Sequence, residues 1–80
     1  MKIVPLTQAK DKTKVRVVDI SSGKTLQRRL MGMGIYPGRV ITKLSQFMLK
    51  GPVAVKTGRS IVALGYGAAN QIMVAEDIDG

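Results

Sequence analysis

Apolar and polar residues alternate with a period of two in several short stretches of this chain, as in half-buried β-strands. Residues 52–56 show it best, because Val53 and Val55 face one side while Ala54 and Lys56 face the other. Four further segments are rich in β-branched and aliphatic residues and are predicted as strands: residues 15–20, 40–44, 60–64 and 72–74. The alternation fails at Val18-Asp19, which predicts a β-bulge or a strand end.

One segment has the helical period of 3.6 residues. Apolar side chains at i, i+4 and i+7 predict an amphipathic helix over residues 24–33: Leu26, Leu30 and Met33. Residues 21–23, Ser-Ser-Gly, offer an N-cap. Gly34 stands where a helix C′ residue turns left-handed, and Ile35 follows as the hydrophobic partner of a Schellman cap.

Glycine and proline mark the connections between these elements. Pro37-Gly38 predicts a type II turn, and residues 57–59 predict a tight hairpin between two strands. Residues 65–70 are expected to form a turn of small residues. Residues 6–12 are expected to hold one helical turn, with Thr7 as its N-cap.

The predicted elements indicate a mainly β domain with about five short antiparallel strands and one inserted α-helix. A small closed or half-open barrel follows, because an open sheet of this size leaves its edges unpaired. Neither an internal repeat nor a linker is visible, so residues 1–80 are interpreted as one domain. The last few residues, after Val74, are expected to be frayed.

Composition argues against catalysis. The chain has no Cys and no His, which removes thiol nucleophiles, the usual general base and the commonest transition-metal ligands. The five acids are too few and too clustered at one end for a carboxylate cage: Asp11, Asp19, Glu76, Asp77 and Asp79. We therefore predict no enzyme, no cofactor and no metal site.

The charge is strongly positive and uneven. The formal net charge is +8, and residues 20–75 contain eight Lys or Arg but no Asp or Glu. Such a balance predicts an anionic partner: a nucleic acid, a membrane surface or an acidic protein face. The alternative is a charge that only prevents association. Neither a targeting segment nor a membrane-spanning stretch is visible, which predicts a cytoplasmic location.

Two exposed features are candidate contacts. Arg28 and Arg29 lie off the apolar stripe of the predicted helix and have no acid at i±3 or i±4, so they are free to bind a carboxylate or phosphate. Residues 47–49, Phe-Met-Leu, form an apolar run in a predicted loop, and at least one of them should be exposed. The alternatives are a solvated charged face for the arginines, and Phe47 and Leu49 covering the end of the barrel.

Residues 29–38, Arg-Leu-Met-Gly-Met-Gly-Ile-Tyr-Pro-Gly, resemble the "RRLLxMGxxPGxxV" signature of the FeoA family, small proteins of bacterial ferrous iron transport. The similarity continues with Val40 and with residues 49–53, and it covers roughly residues 5–75. At residues 50–51 this chain has Lys-Gly where the family usually has Gly-Asp.

The resemblance implies an SH3-like barrel and a cytoplasmic accessory protein of ferrous iron uptake, at the inner face of the membrane. It would act by binding the cytoplasmic GTP-binding part of the large transporter FeoB, and the iron chemistry would belong to that partner. The predicted partner-binding residues are Arg28, Arg29, Tyr36, Met48, Leu49 and Lys50. The alternative function is a small basic barrel that binds nucleic acid, against which the sparse aromatic residues count.

Overall fold

Six antiparallel strands form one sheet in the computed structural model, which describes residues 2–76. The strands are β1 (Ile3–Pro5), β2 (Thr13–Ile20), β3 (Val40–Gln46), β4 (Val53–Thr57), β5 (Ser60–Leu64) and β6 (Ile72–Ala75). Their order across the sheet is β1-β6-β2-β3-β4-β5, so β1 and β5 are its edges. A 3-10 turn (Leu6–Gln8) and two helices, α1 (Lys24–Gly32) and α2 (Tyr66–Asn70), complete the described chain.

The mainly β prediction is confirmed, and one strand was missed. All five predicted strands are present, most of them longer by one or two residues. The bulge at Val18 is also present, because the register between β2 and β6 shifts between Val17 and Asp19. The missed strand, β1, has three residues and ends in Pro5; it exists through its pairing with β6 at the other end of the chain. So short a segment has no detectable alternation of its own.

The end of α1 is built as predicted. Gly34 has a φ of +86°, and its N–H donates to the carbonyl of Met31 at 3.0 Å. The N–H of Ile35 donates to the carbonyl of Leu30 at 2.8 Å, which completes a Schellman motif. Leu30 and Ile35 are both buried, so the cap joins the helix to the core. At the other end the N-cap is Gly23, and no side chain caps the helix.

Two of the predicted turns are confirmed and two short segments are corrected. Gly38 has a φ of +95° in a turn closed by Arg39 N–H to Tyr36 O, and Gly58 has a φ of +61° between β4 and β5. Residues 65–70, predicted as a turn, contain helix α2 instead. The helical turn expected over residues 6–12 covers only Leu6–Gln8, and its N-cap is Pro5 rather than Thr7.

The core is aliphatic and lies on one side of the bent sheet. Its buried members come from every strand and from α1, the 3-10 turn and α2: Val4, Leu6, Ala9, Val15, Val17, Ile20, Leu30, Ile35, Ile41, Val53, Val55, Leu64, Ala69, Ile72 and Val74. Ala75 is buried in β6, so the predicted fraying does not begin directly after Val74. Residues 77–80 lie outside the described part of the chain. No helix within residues 2–76 is long and apolar enough to cross a membrane.

Candidate partner-binding surfaces

The loop between β3 and β4, residues 47–51, places three consecutive apolar side chains in solvent. Phe47 is 69% exposed, Met48 73% and Leu49 90%. The prediction that at least one of them is exposed is confirmed, and the alternative in which Phe47 and Leu49 cover the barrel end is wrong. We call residues 47–51 the apolar loop. Met48, Leu49, Lys50 and Gly51 line an open concave surface on it.

Hydrogen bonds from the residues on either side of the apolar loop hold it in one shape. The Phe47 N–H donates to the carbonyl of Pro52 at 3.0 Å, and Gln46 Nε2 donates to the carbonyl of Leu49 at 2.8 Å. Met48 has a φ of +62°. Gly51 is required by close approach, because a Cβ built on it would lie 1.6 Å from the carbonyl oxygen of Phe47. The apolar side chains are therefore displayed by an ordered turn.

Helix α1 displays Arg28 and Arg29 at the surface. Both are exposed, while Leu30 is buried and Leu26 and Met33 pack partly against the core. Within residues 2–76 the one ion pair joins Lys43 to Asp11, so neither arginine pairs with a described carboxylate. The prediction that their charges point away from the core is confirmed.

Tyr36 belongs to the same end of the molecule as α1. It is half-buried, its hydroxyl accepts a hydrogen bond from Arg39 Nη1 at 3.1 Å, and the Arg39 guanidinium lies 5.7 Å from the ring centroid. Arg16 Nη1 donates to the carbonyl of Gly38 at 3.0 Å. Tyr36 thus positions Arg39, and two arginines, Arg16 and Arg39, lie at the Pro37-Gly38 turn.

The six predicted site residues fall into two groups at opposite ends of the sheet. Helix α1 and Tyr36 connect the end of β2 to the start of β3, and Thr57 Oγ1 donates to Met33 O at the end of β4. The apolar loop, with Lys50 exposed on it, joins the other ends of β3 and β4. A strand of seven residues is about 20 Å long, which is the separation along β3. A partner that binds one end of the sheet through a flat surface therefore does not contact the predicted residues at the other end.

Lys43, one of the eight basic residues between positions 20 and 75, is a buried cation. Its side chain is 2% exposed, and its Nζ donates to the carbonyls of Ala9 at 2.7 Å and Thr7 at 3.2 Å. It also donates to Gln46 Oε1 at 3.1 Å and lies 3.5 Å from Asp11 Oδ1. Because Gln46 holds the Leu49 carbonyl, the buried ammonium is linked through one amide to the apolar loop. Lys43 therefore organises this end of the barrel.

The two-residue alternation of side chains along β3 indicates that Lys43 faces inward. Ile41 is buried, so a period of two places Lys43 on the same inward face and Leu44 on the other. Hydrophobicity favours the opposite assignment, and the structure does not follow it because carbonyls of distant residues 7 and 9 satisfy the ammonium. Within residues 2–76 no three carboxylates cluster closely enough to hold a metal ion.

The comparisons with known proteins agree with the fold. Residues 4–76 match the family model described as "FeoA domain". The "Putative Fe(2+) transport protein A" of Methanocaldococcus jannaschii is 36% identical over 72 residues, which cover 90% of this chain and 85% of that protein. A crystal structure of an iron uptake regulatory protein (FeoA) superposes with a TM-score of 0.84 at 32% identity, over 95% of this chain and 99% of that one.

A manganese-dependent transcriptional repressor shares the fold at 24% identity and a TM-score of 0.82; the match covers 92% of this chain and 41% of the repressor. The barrel is therefore also found as one part of a longer protein. The signature at residues 29–38, the SH3-like barrel with its inserted helix, and the matching family model lead to one identification: the chain belongs to the FeoA family.

Proposed function

We propose that this protein is an accessory component of ferrous iron uptake that binds the cytoplasmic part of a FeoB-like membrane transporter. Membership of the FeoA family supports a role in iron transport. The observation that carries the binding proposal is the pair of exposed arginines on α1, Arg28 and Arg29, whose charges the fold does not use.

Arginine suits a docking contact better than most exposed residues. Its guanidinium binds carboxylates through two parallel hydrogen bonds, and it is enriched among the residues that dominate binding energies. Met31, on the same helix, is 60% exposed and adds apolar area beside the two charges. A partner with an acidic surface would therefore find charge and an apolar contact together on α1.

The proposed role is binding without catalysis. A chain that lacks His and Cys has no usual general base and no thiolate, and the described carboxylates do not cluster. Iron is then the cargo of the transporter, and this protein acts on the transporter from its cytoplasmic side. A contact centred on α1 leaves Met48, Leu49 and Lys50 outside it, because they lie at the far end of β3.

The test is binding of the purified chain to the full-length transporter in detergent micelles. The double variant Arg28→Glu/Arg29→Glu is expected to bind at least about tenfold more weakly, as is usual when hot-spot arginines are lost. The matched control is Lys12→Glu/Lys14→Glu, which makes the same change in net charge on exposed residues of the other end. Equal binding by the arginine variant and wild type would remove α1 from the interface.

A second candidate function, binding of nucleic acid, is favoured by the net charge of +8 and by the arginines around the Pro37-Gly38 turn. Phosphate contacts release counterions, so binding to random DNA or RNA would fall steeply with salt on a log–log plot. A steep slope together with undetectable binding to the transporter would favour this function over the first.

A further inference from the structure

The apolar loop is a projection whose side chains have no partner within the described chain. Met48 and Leu49 line one concave surface at the tip of the β3–β4 hairpin, and Phe47 is exposed next to them in the chain. Contiguous exposed apolar surface of this kind marks a contact with a protein or with a membrane. The size, hydrogen bonding and charge of the tip distinguish these two occupants.

The patch is small for a stable protein interface. Such an interface buries about 800 Å² on each partner. Three side chains contribute roughly 500 Å² at most, since even a fully buried aromatic residue contributes about 150–250 Å². Attachment to a lipid surface needs only a few apolar side chains in the boundary between headgroups and acyl chains, assisted by basic residues.

Two backbone groups of the tip have hydrogen-bond partners within the hairpin. The Phe47 N–H and the Leu49 carbonyl are both hydrogen-bonded inside the hairpin, the second through the Gln46 side chain that Lys43 orients. A polar backbone group that enters a bilayer needs such an internal partner, because the hydrocarbon offers none. These two groups are therefore already paired when the tip meets a lipid surface.

Lysines surround the same end of the barrel. Lys50 is in the apolar loop, and Lys10 and Lys12 precede β2, where the Lys12 N–H donates to the Lys43 carbonyl. Of the acids described at this end, Asp11 faces the Lys43 ammonium, and Glu76 accepts a hydrogen bond from the Lys10 N–H. Lysine side chains reach from apolar surroundings toward charged headgroups, and the net charge of +8 complements an anionic surface.

We infer that the apolar loop inserts Met48 and Leu49 into the headgroup boundary of an anionic lipid bilayer, with Lys50 at the level of the headgroups. This goes beyond the proposed transporter contact, which uses the opposite end of the sheet. With the apolar loop in the bilayer, α1 would face away from the membrane, where it can contact the cytoplasmic part of the transporter.

The first test uses a fluorescent reporter in the full chain. The protein has no tryptophan, so Leu49→Trp gives a single signal from the tip. With vesicles of phosphatidylglycerol and phosphatidylcholine, its emission should shift to shorter wavelength and be quenched by spin-labelled lipids. Ile61→Trp is the control, because Ile61 is 65% exposed and lies on β5 away from the loop. A Leu49→Trp signal that stays that of a water-exposed indole would overturn the inference.

The second test is flotation of the chain with the same vesicles. Wild type and Ile61→Asp should float, whereas Met48→Asp/Leu49→Asp should lose at least about nine-tenths of its vesicle binding. Vesicles of phosphatidylcholine alone should retain less protein than anionic ones. If the wild-type chain does not float while Met48→Asp/Leu49→Asp abolishes binding to the transporter in detergent, the loop binds protein and the inference fails. The vesicles contain no transporter, so the flotation result is independent of the proposed function.

Discussion

The two ends of the barrel differ in the burial of their leucine side chains. Leu30 on α1 is 1% exposed, and Leu49 in the apolar loop is 90% exposed, although both belong to ordered segments. At the α1 end the Schellman cap folds Ile35 onto the core and Thr57 holds the Met33 carbonyl. At the loop end the hydrogen bonds stabilise a turn that points its apolar side chains outward.

The difference shows that order and burial are separate properties in this fold. An apolar side chain is buried where a neighbouring element covers it, and hydrogen bonds can order a loop without covering anything. The loop end is therefore ordered at the cost of exposed apolar area, which is the arrangement expected of a binding surface rather than of a stability element.

The largest expected effect comes from making the same substitution at the two leucines. Leu30→Ala should reduce the free energy of unfolding by about 2–5 kcal/mol, because it leaves a cavity under α1. Leu49→Ala should change it by no more than about 0.5 kcal/mol, as for other surface positions. Urea denaturation of both variants measures the difference. Similar losses would show that Leu49 has a packing partner.

The next effect concerns the shape of the apolar loop. Gly51→Ala should cost about 1–3 kcal/mol, because its Cβ would overlap the Phe47 carbonyl oxygen and the backbone must move. Gly67→Ala is the matched control: nothing lies within 4 Å of a Cβ there, and alanine favours the helix. Thermal melts of the two variants give the comparison, and an unchanged Gly51→Ala would contradict the close approach.

The third effect concerns Lys43, whose buried ammonium stabilises the end of the barrel that carries the apolar loop. Lys43→Met keeps an unbranched side chain, one atom shorter, but leaves the Ala9 and Thr7 carbonyls without their donor, so it should cost about 1–3 kcal/mol. Lys14→Met, on the exposed face of β2, should be nearly neutral. Hydrogen exchange should also show faster exchange at the Phe47 N–H in Lys43→Met. A Lys43→Met protein as stable as Lys14→Met would mean that the ammonium is dispensable.

The smallest effect on stability is expected at the α1 surface. Arg28→Glu/Arg29→Glu should change the unfolding free energy by no more than about 0.5 kcal/mol, because neither side chain has a described partner. Ferrous iron uptake in a complemented strain should nevertheless be lost, because the variant reverses the charges that we propose to contact the partner. Unfolding of this variant would instead make the arginines structural, and full uptake by the folded variant would exclude them from the function.

Much of the fold was predictable because its signals are local. The cap at Gly34, the turn at Gly38 and the alternation of β4 each depend on residues within four or five positions of one another. Positive φ values and β-branched runs have the same meaning wherever they occur in a chain. The exposed arginines could be predicted for the same reason, since the helical period alone separates them from the apolar stripe.

The remaining features depend on residues that are distant in the sequence. Strand β1 becomes a strand because β6 pairs with it, and Lys43 is buried because the carbonyls of residues 7 and 9 accept hydrogen bonds from its ammonium. The exposure of Phe47 and Leu49 likewise depends on no other element reaching the end of the β3–β4 hairpin within the described residues. Local sequence encodes what a segment can form. Only the packing of distant segments decides which side chains are covered, because burial requires a neighbour and the sequence does not state which neighbour that will be.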